Sequence, residues 1–283
     1  MWFIKDKICL ITGATSGIGR ETALALAGMG ARVIITCRDI EKAKKTQDYI
    51  LKNTGYKIDF LFCDFSSFES IRDFVQVFCR KYNALHLLIN NSGIFETKFK
   101  QGKDGIELNW TVNYLAPFLL TNLLLDIMKT SAPARIINVA SESHRNSVIN
   151  FDDIELKNNF SGQKAYGQSK LANILFTRQL AKNLAGTDIT VNCLHPGIVR
   201  TNIFHSMNKL AIFLYKLIMI SPQKGAETSV FLASSDSINH FSGEYFIKKK
   251  IAVPSPEALK ADVAERLWQI SLEQVKNKHH HET

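Results

Sequence analysis

The chain has little that would divide it. Six prolines in 283 residues, and no stretch where proline, glycine and serine crowd together, leave no linker between domains. No segment repeats at a fixed period, and no block of one charge sign forms a tail. Five cysteines, Cys9, Cys37, Cys63, Cys79 and Cys193, are odd in number and lack a Cys-x-x-Cys pair. They read as reduced thiols in largely apolar runs, which suits a cytoplasmic protein. A membrane span needs roughly twenty apolar residues, and no transmembrane segment is expected. The apolar stretch Leu210 to Ile220 is half that length and is interrupted by Lys216. It fits a lid over a greasy pocket better than an interfacial anchor, and leaves peripheral membrane contact open. The residues from Met1 to Lys7 run straight into a strand pattern, so no signal peptide is expected. Metal-ligand patterns are also missing. Asp152 and Asp153 are adjacent loop carboxylates without a ligand set, and the three histidines near the C-terminus read as a frayed polar end.

Hydrophobic residues make up 46% and charged residues 22% of the chain, enough apolar material for a large core. The net charge is +9, but the lysines are scattered and only Lys248 to Lys250 form a run. With no nucleic-acid-binding motif beside them, they read as a solvated basic surface and no nucleic-acid partner is expected.

Apolar, β-branched strand candidates recur at Ile8 to Thr12, Val33 to Thr36, Asp59 to Cys63, Leu85 to Asn90, Arg135 to Val139, Thr190 to Leu194 and Glu244 to Ile247. Helical patterns lie between them: Gly17 to Gly28, Ile40 to Lys52, Phe68 to Tyr82, Gly105 to Met128, Ala165 to Leu184 and Lys224 to Ala233. Strands apolar on both faces and alternating with helices imply an α/β fold, a single doubly wound, Rossmann-type domain with a mostly parallel, about seven-stranded sheet. This domain is expected over residues 1–250, with a substrate lid at 197–223 and a helical tail at 251–283. In such sheets ligands sit at the carboxyl ends of the strands.

Directly after the first strand stands Thr12-Gly13-Ala14-Thr15-Ser16-Gly17-Ile18-Gly19. Gly13, Thr15, Ser16, Gly17, Ile18 and Gly19 would let backbone approach a phosphate, with the helix N-terminus supplying free N–H groups and a favourable dipole. After the second strand comes Arg38, where an NAD-preferring fold places a carboxylate for the ribose diol. A guanidinium there suits a 2′-phosphate, which favours NADP(H) over NAD(H); Asp39 follows at once and argues the other way.

Tyr166 and Lys170 are four residues apart in a helix-forming run, which puts both on one face. A positive charge favours a phenolate, so the pair is an acid–base device whose ammonium is expected to lower the phenol pKa.

With these residues the chain resembles the short-chain dehydrogenase/reductases, and within them the retinol dehydrogenase branch, over nearly its whole length to about residue 250. The matching segments are the glycine turn at 12 to 19, Cys-Asp-Phe-Ser-Ser at 63 to 67, Asn-Asn-Ser-Gly at 90 to 93, Asn113 in Thr-Val-Asn-Tyr-Leu, Ser141 in Asn-Val-Ala-Ser, Tyr166 to Lys170, and His-Pro-Gly-Ile-Val-Arg-Thr at 195 to 201. The resemblance implies a catalytic set of Asn113, Ser141, Tyr166 and Lys170. Ser141 would bind the substrate oxygen, Tyr166 exchange its proton, Lys170 tune Tyr166 and hold the ribose, and Asn113 hold a relay water. It further implies that Asp64 meets the adenine amino group, that Asn91 and Gly93 support the cofactor, and that Pro196, Gly197 and Thr201 contact its nicotinamide end. Asp64 also reads as a cap for the next helix, a role it would share with Ser66 or Ser67.

The activity so implied is NADP(H)-dependent interconversion of an alcohol and its aldehyde or ketone. An apolar segment from 202 to 221, with Phe204, Leu210, Phe213, Leu214 and Tyr215, points to an apolar substrate. The alternative is a catalytically silent NADP-binding regulator or scaffold. Homo-oligomers through the two long central helices are consistent with the resemblance. His144 beside Ser141 invites a hydrolase reading, but the nucleophile-elbow sequence is missing.

Overall fold

A computed structural model of the protein describes residues 2–199 and 219–276. Its centre is one sheet in the order β3-β2-β1-β4-β5-β6-β7-β8. The strands are β1 (Ile8–Ile11), β2 (Arg32–Cys37), β3 (Asp59–Phe62), β4 (Leu87–Asn90), β5 (Ala134–Val139), β6 (Ile189–His195), β7 (Tyr245–Ile247) and β8 (Lys250–Ile251). All neighbours pair in parallel except β7 and β8. Among the described residues this makes eight strands against about seven expected. The extra strand is a two-residue antiparallel return, too short to carry an alternation.

Every residue of β1, β4 and β5 is buried, as parallel strands covered on both faces must be. The helices that cover them are α1 (Gly17–Gly28), α2 (Ile40–Thr54), α3 (Phe68–Lys81), α4 (Leu108–Thr130), α5 (Gly162–Asn183), α6 (Pro222–Ser234) and α7 (Ala261–Val275). Two apolar clusters result. One lies around α3, α4, α5 and α7; the other lies around α1, with Leu232 and Ala233 of α6 in it.

Local chemistry sets the helix ends. Asp39 accepts the Lys42 N–H and starts α2, while Ser67 accepts the Ser70 N–H and starts α3, each satisfying a donor that the first turn leaves open. Helix α4 begins at Leu108, later than the Gly105 expected from the sequence. The Glu107 carboxylate takes the N–H groups of Asn109 and Trp110, and Gly105 sits in the preceding turn with φ of 75°. A π-helical turn over Thr111–Leu115 interrupts α4. Helix α4 is long and apolar enough to cross a membrane, but most of it is buried inside this fold.

The tail differs from one continuous helix. Pro256–Leu259 forms a short 3-10 turn before α7. Helix α7 then lies across α4 and α5: Trp268 meets the rings of Phe118 and Phe176 at 5.0 and 5.9 Å, and the Ser271 and Tyr114 hydroxyls are 2.6 Å apart. The central helices expected to meet a second copy therefore carry this chain's own C-terminal helix.

Candidate active site

A cavity of about 990 Å³ opens at the carboxyl ends of β1, β2, β4, β5 and β6. It brings together Gly13, Thr15, Ser16, Gly17, Ile18 and Gly19 from the first turn, Arg38 from the end of β2, Asn91 and Gly93 after β4, Ser141 after β5, Tyr166 and Lys170 from α5, and Pro196 and Gly197 after β6. Asp64 and Asn113 do not line it. Thr201 and lid residues 202–218 lie outside the described residues, so Phe204, Leu210, Phe213, Leu214 and Tyr215 do too.

The glycine turn is shaped as a cradle. Gly13 has φ of 64°, and a side chain there would meet Ser92 Cα at 2.8 Å. A Cβ on Gly19 would sit 2.5 Å from both Asn91 Nδ2 and the Gly13 carbonyl oxygen. Asn91 is committed to the turn itself: its Nδ2 donates to the Thr12 carbonyl at 2.9 Å and to that of Gly13 at 3.1 Å. From the other side, the Thr46 hydroxyl donates to the Thr15 carbonyl at 3.1 Å. These bonds take up carbonyl oxygens and leave N–H groups for a ligand. At the start of α1, Ser16 makes no side-chain cap, so the first-turn donors and the dipole face the cavity uncapped by protein. A donor set of this kind fits the pyrophosphate of a dinucleotide.

At the β2 end, Arg38 is exposed at the cavity wall, and among the described residues no carboxylate pairs with it. Asp39 is occupied as the cap of α2, and its other oxygen lies 3.4 Å from Lys42 Nζ. Lys42 also lines the cavity, so two cations stand there. Asp64 is turned to its own loop. It accepts from the Ser66 N–H at 3.0 Å and the Ser66 hydroxyl at 2.8 Å, and pairs with Lys103 at 3.1 Å. It does not cap α3 either, since Ser67 does. Its neighbours Cys63 and Phe65 line the cavity in its place.

The Tyr166 and Lys170 side chains share the inner face of α5, with Lys170 Nζ 5.5 Å from the phenol ring centroid. Lys170 Nζ donates to the Val139 carbonyl at 3.0 Å, and burial pulls its ammonium down to about 8. Burial pushes the Tyr166 phenol up to about 12, and interaction with the Ser141 side chain only partly offsets this. The lowering expected from Lys170 does not prevail: burial of the phenolate raises the phenol, and it is the Ser141 side chain that lowers it. The Ser141 hydroxyl accepts the Ser143 N–H at 3.2 Å. Helix α5 comes this close to the Ser141 loop because Gly167 has no side chain. A Cβ there would strike the Ser147 hydroxyl and stand 2.9 Å from the Ser143 carbonyl oxygen.

Asn113 lies in the π-helical turn of α4, buried behind this wall. Its Oδ1 accepts the Ile94 N–H at 2.8 Å, its Nδ2 donates to the Ile94 carbonyl at 3.0 Å and to the Ser169 hydroxyl at 3.1 Å, and its carbonyl accepts from Asn173 at 2.8 Å. His144 does not pair with the Ser141 hydroxyl. Its Nδ1 lies 2.7 Å from the Ser141 carbonyl oxygen instead, so these two residues do not form a nucleophile–base pair of the hydrolase kind.

Several lining residues escaped the sequence: Lys42, Phe95, Glu142, Ser143, Gln163 and His195. Gln163 lies one turn before Tyr166, and His195 opens the quoted His-Pro-Gly motif, so spacing alone carried a signal for both. Phe95 meets the Tyr166 ring edge-on at 5.2 Å, a contact that only the folded chain creates.

The strand-end cavity, glycine cradle and Tyr–Lys pair belong to a known class. The model of the short chain dehydrogenase family matches residues 7–211, and this chain is a member of that oxidoreductase family, whose fold binds a nicotinamide cofactor. Within it the chain falls in the retinol dehydrogenase-like branch. It is 41% identical to human retinol dehydrogenase 14, an alignment covering 94% of this chain and 85% of that one. It is also 41% identical to human retinol dehydrogenase 12, with 95% and 86% covered. Among solved structures, an uncharacterized protein from Mycobacterium Paratuberculosis superposes with a TM-score of 0.80 at 28% identity, covering 96% of this chain and 94% of the other.

Proposed function

We propose that this protein is an NADP(H)-dependent oxidoreductase that interconverts an alcohol and its aldehyde or ketone on an apolar substrate, with Tyr166 as the general acid and base. The observation that carries the proposal is the single wall on which Ser141, Tyr166 and Lys170 stand together at the cavity. With a dinucleotide bound in the cavity, its nicotinamide would supply or accept the hydride.

The residues divide the remaining work. The first turn of α1 and the glycine turn hold the pyrophosphate, and Arg38, assisted by Lys42, holds the 2′-phosphate through charge-assisted bonds. Asn91 keeps the turn in shape. Pro196 and Gly197 border the nicotinamide end. Ser141 fixes the substrate oxygen beside the phenol. In reduction Tyr166 gives its proton to that oxygen as the carbon takes the hydride, and in oxidation it removes the hydroxyl proton. Lys170 balances the phenolate and holds the ribose hydroxyls. Asn113 acts from behind, fixing the Ile94 backbone and the Ser169 hydroxyl on the helix that carries Tyr166. Phe95, Val112 and Ile198 add apolar lining to the cavity, in keeping with the retinol dehydrogenase names of the relatives. Five free thiols, four of them buried, support a cytoplasmic setting.

The test is the purified chain with NADPH and a panel of apolar aldehydes and ketones, following cofactor oxidation. Turnover is expected. NADPH binding without turnover on any of them would favour a silent cofactor-binding regulator instead.

A further inference from the structure

The loop after β5 contains a histidine that the proposed reaction does not use. His144 is completely buried, in the short 3-10 turn that follows Ser141. One ring nitrogen, Nδ1, is 2.7 Å from the Ser141 carbonyl oxygen. The other, Nε2, is 3.1 Å from the backbone nitrogen of Ser255. A carbonyl oxygen only accepts, so Nδ1 must carry the proton; a backbone N–H only donates, so Nε2 must carry the lone pair. Two independent partners thus demand the same neutral tautomer. The ring joins the C-terminal segment to the backbone of Ser141.

The neighbouring residue is held from two other strands. The Glu142 N–H donates to His195 Nδ1 at the end of β6, at 3.3 Å, and the Glu142 carboxylate accepts the Tyr245 hydroxyl of β7 at 2.8 Å. The Tyr245 ring stands edge-on to His144 at 5.2 Å. Of these supports, His144 alone bonds to Ser141 itself.

We propose that His144 is a positioning residue for Ser141: its Nδ1–H holds the Ser141 carbonyl, and the Ser255 N–H at Nε2 fixes the tautomer that makes this bond. The inference rests on the oxidoreductase reading above. Hydride and proton transfer need the substrate oxygen held in place, and a misplacement of about 1 Å costs about 100-fold.

Two replacements separate positioning from packing. His144→Asn keeps an N–H at the Nδ1 position but loses ring volume. His144→Phe keeps the ring against Tyr245 but has no donor. Positioning predicts that His144→Asn retains most of kcat, whereas His144→Phe loses about 10- to 100-fold with KM for NADPH unchanged. Packing predicts the reverse order, and turnover by His144→Phe equal to or above that of His144→Asn would overturn the role. Independently of turnover, a ring 15N–1H spectrum of the unaltered chain should show the Nδ1–H tautomer for His144; the Nε2–H tautomer would overturn it even if the Phe variant fails to fold. Absence of turnover in the unaltered protein would sink the oxidoreductase reading, and this role with it. Turnover in the unaltered protein with the wrong variant order sinks only the role of His144.

Discussion

Tyr166 and Lys170 illustrate how much depends on the medium around two side chains. Helical spacing puts them on one face, but burial acts on the two charges separately, raising the phenol to about 12 and lowering the ammonium to about 8. A phenol so held is a proton donor at neutral pH. Tyr166→Phe should therefore reduce carbonyl turnover by about 100-fold or more while NADPH still binds, as fluorescence titration beside steady-state rates would measure. The lysine leaves a mark on stability as well. Its unfolded pKa is near 10.5 and its folded value about 8, so between those values the unfolded chain binds a proton that the folded chain does not. Stability contributed at this site must rise as pH increases from 8 to 10.5, and the burial cost is fully present below 8. Urea midpoints across that window should climb relative to those of Lys170→Met. At the far end of the cavity, Arg38→Asp should move cofactor preference from NADPH toward NADH by about 10-fold or more, read from the ratio of the two Kd values; an unchanged ratio would remove Arg38 from the 2′-phosphate site.

Elements explain which of these residues the sequence disclosed. The strand–helix alternation was legible because strands buried on both faces are continuous apolar runs and the helices between them are not. The glycine turn and the Tyr–Lys pair were legible because each is local, one a turn and the other a helical spacing. Lys42 was not, because only the folded chain brings this first-turn residue of α2 to the cavity. Asp64 stands off the cavity wall, where Ser66, two residues on, and the distant Lys103 engage its oxygens. The π-helical turn at Asn113 and the two-residue β8 carry no period to detect. The close fit between the first turn of α1, the glycine turn and Asn91 after β4 gives a sharp prediction for one element. Gly19→Ala would drive a methyl into Asn91 Nδ2 and the Gly13 carbonyl, both 2.5 Å from the added carbon, displacing the cradle. NADPH affinity should fall about 10-fold or more, since the lost contacts are several hydrogen bonds to charged oxygens, while the far-UV circular dichroism spectrum stays that of the native fold. Unchanged affinity would show that the turn is not where the dinucleotide sits.

At the scale of the whole molecule, the C-terminal helix changes what the two central helices are for. Helices α4 and α5 present Phe118, Phe176 and Tyr114, an aromatic face that would otherwise need a second copy of the chain to cover it. Helix α7 covers it from within: Trp268 packs on the two phenylalanines, Leu267 is fully buried, and Arg72 of α3 donates to the Val275 carbonyl at 2.6 Å. The segment before this helix reaches the catalytic side through the bond from the Ser255 N–H to His144. A helix that seals a core contributes through its buried apolar side chains, and Leu267→Ala should cost about 2–5 kcal/mol in urea unfolding. The intact chain should run at the mass of one protomer in light scattering, because self-association through α4 and α5 would require α7 to leave. If the intact chain proves to be a dimer and Leu267→Ala leaves that dimer unchanged, association uses another face and α7 serves the core alone. If Leu267→Ala instead converts a monomer into a dimer, the aromatic face under α7 is the latent interface that this helix normally occupies.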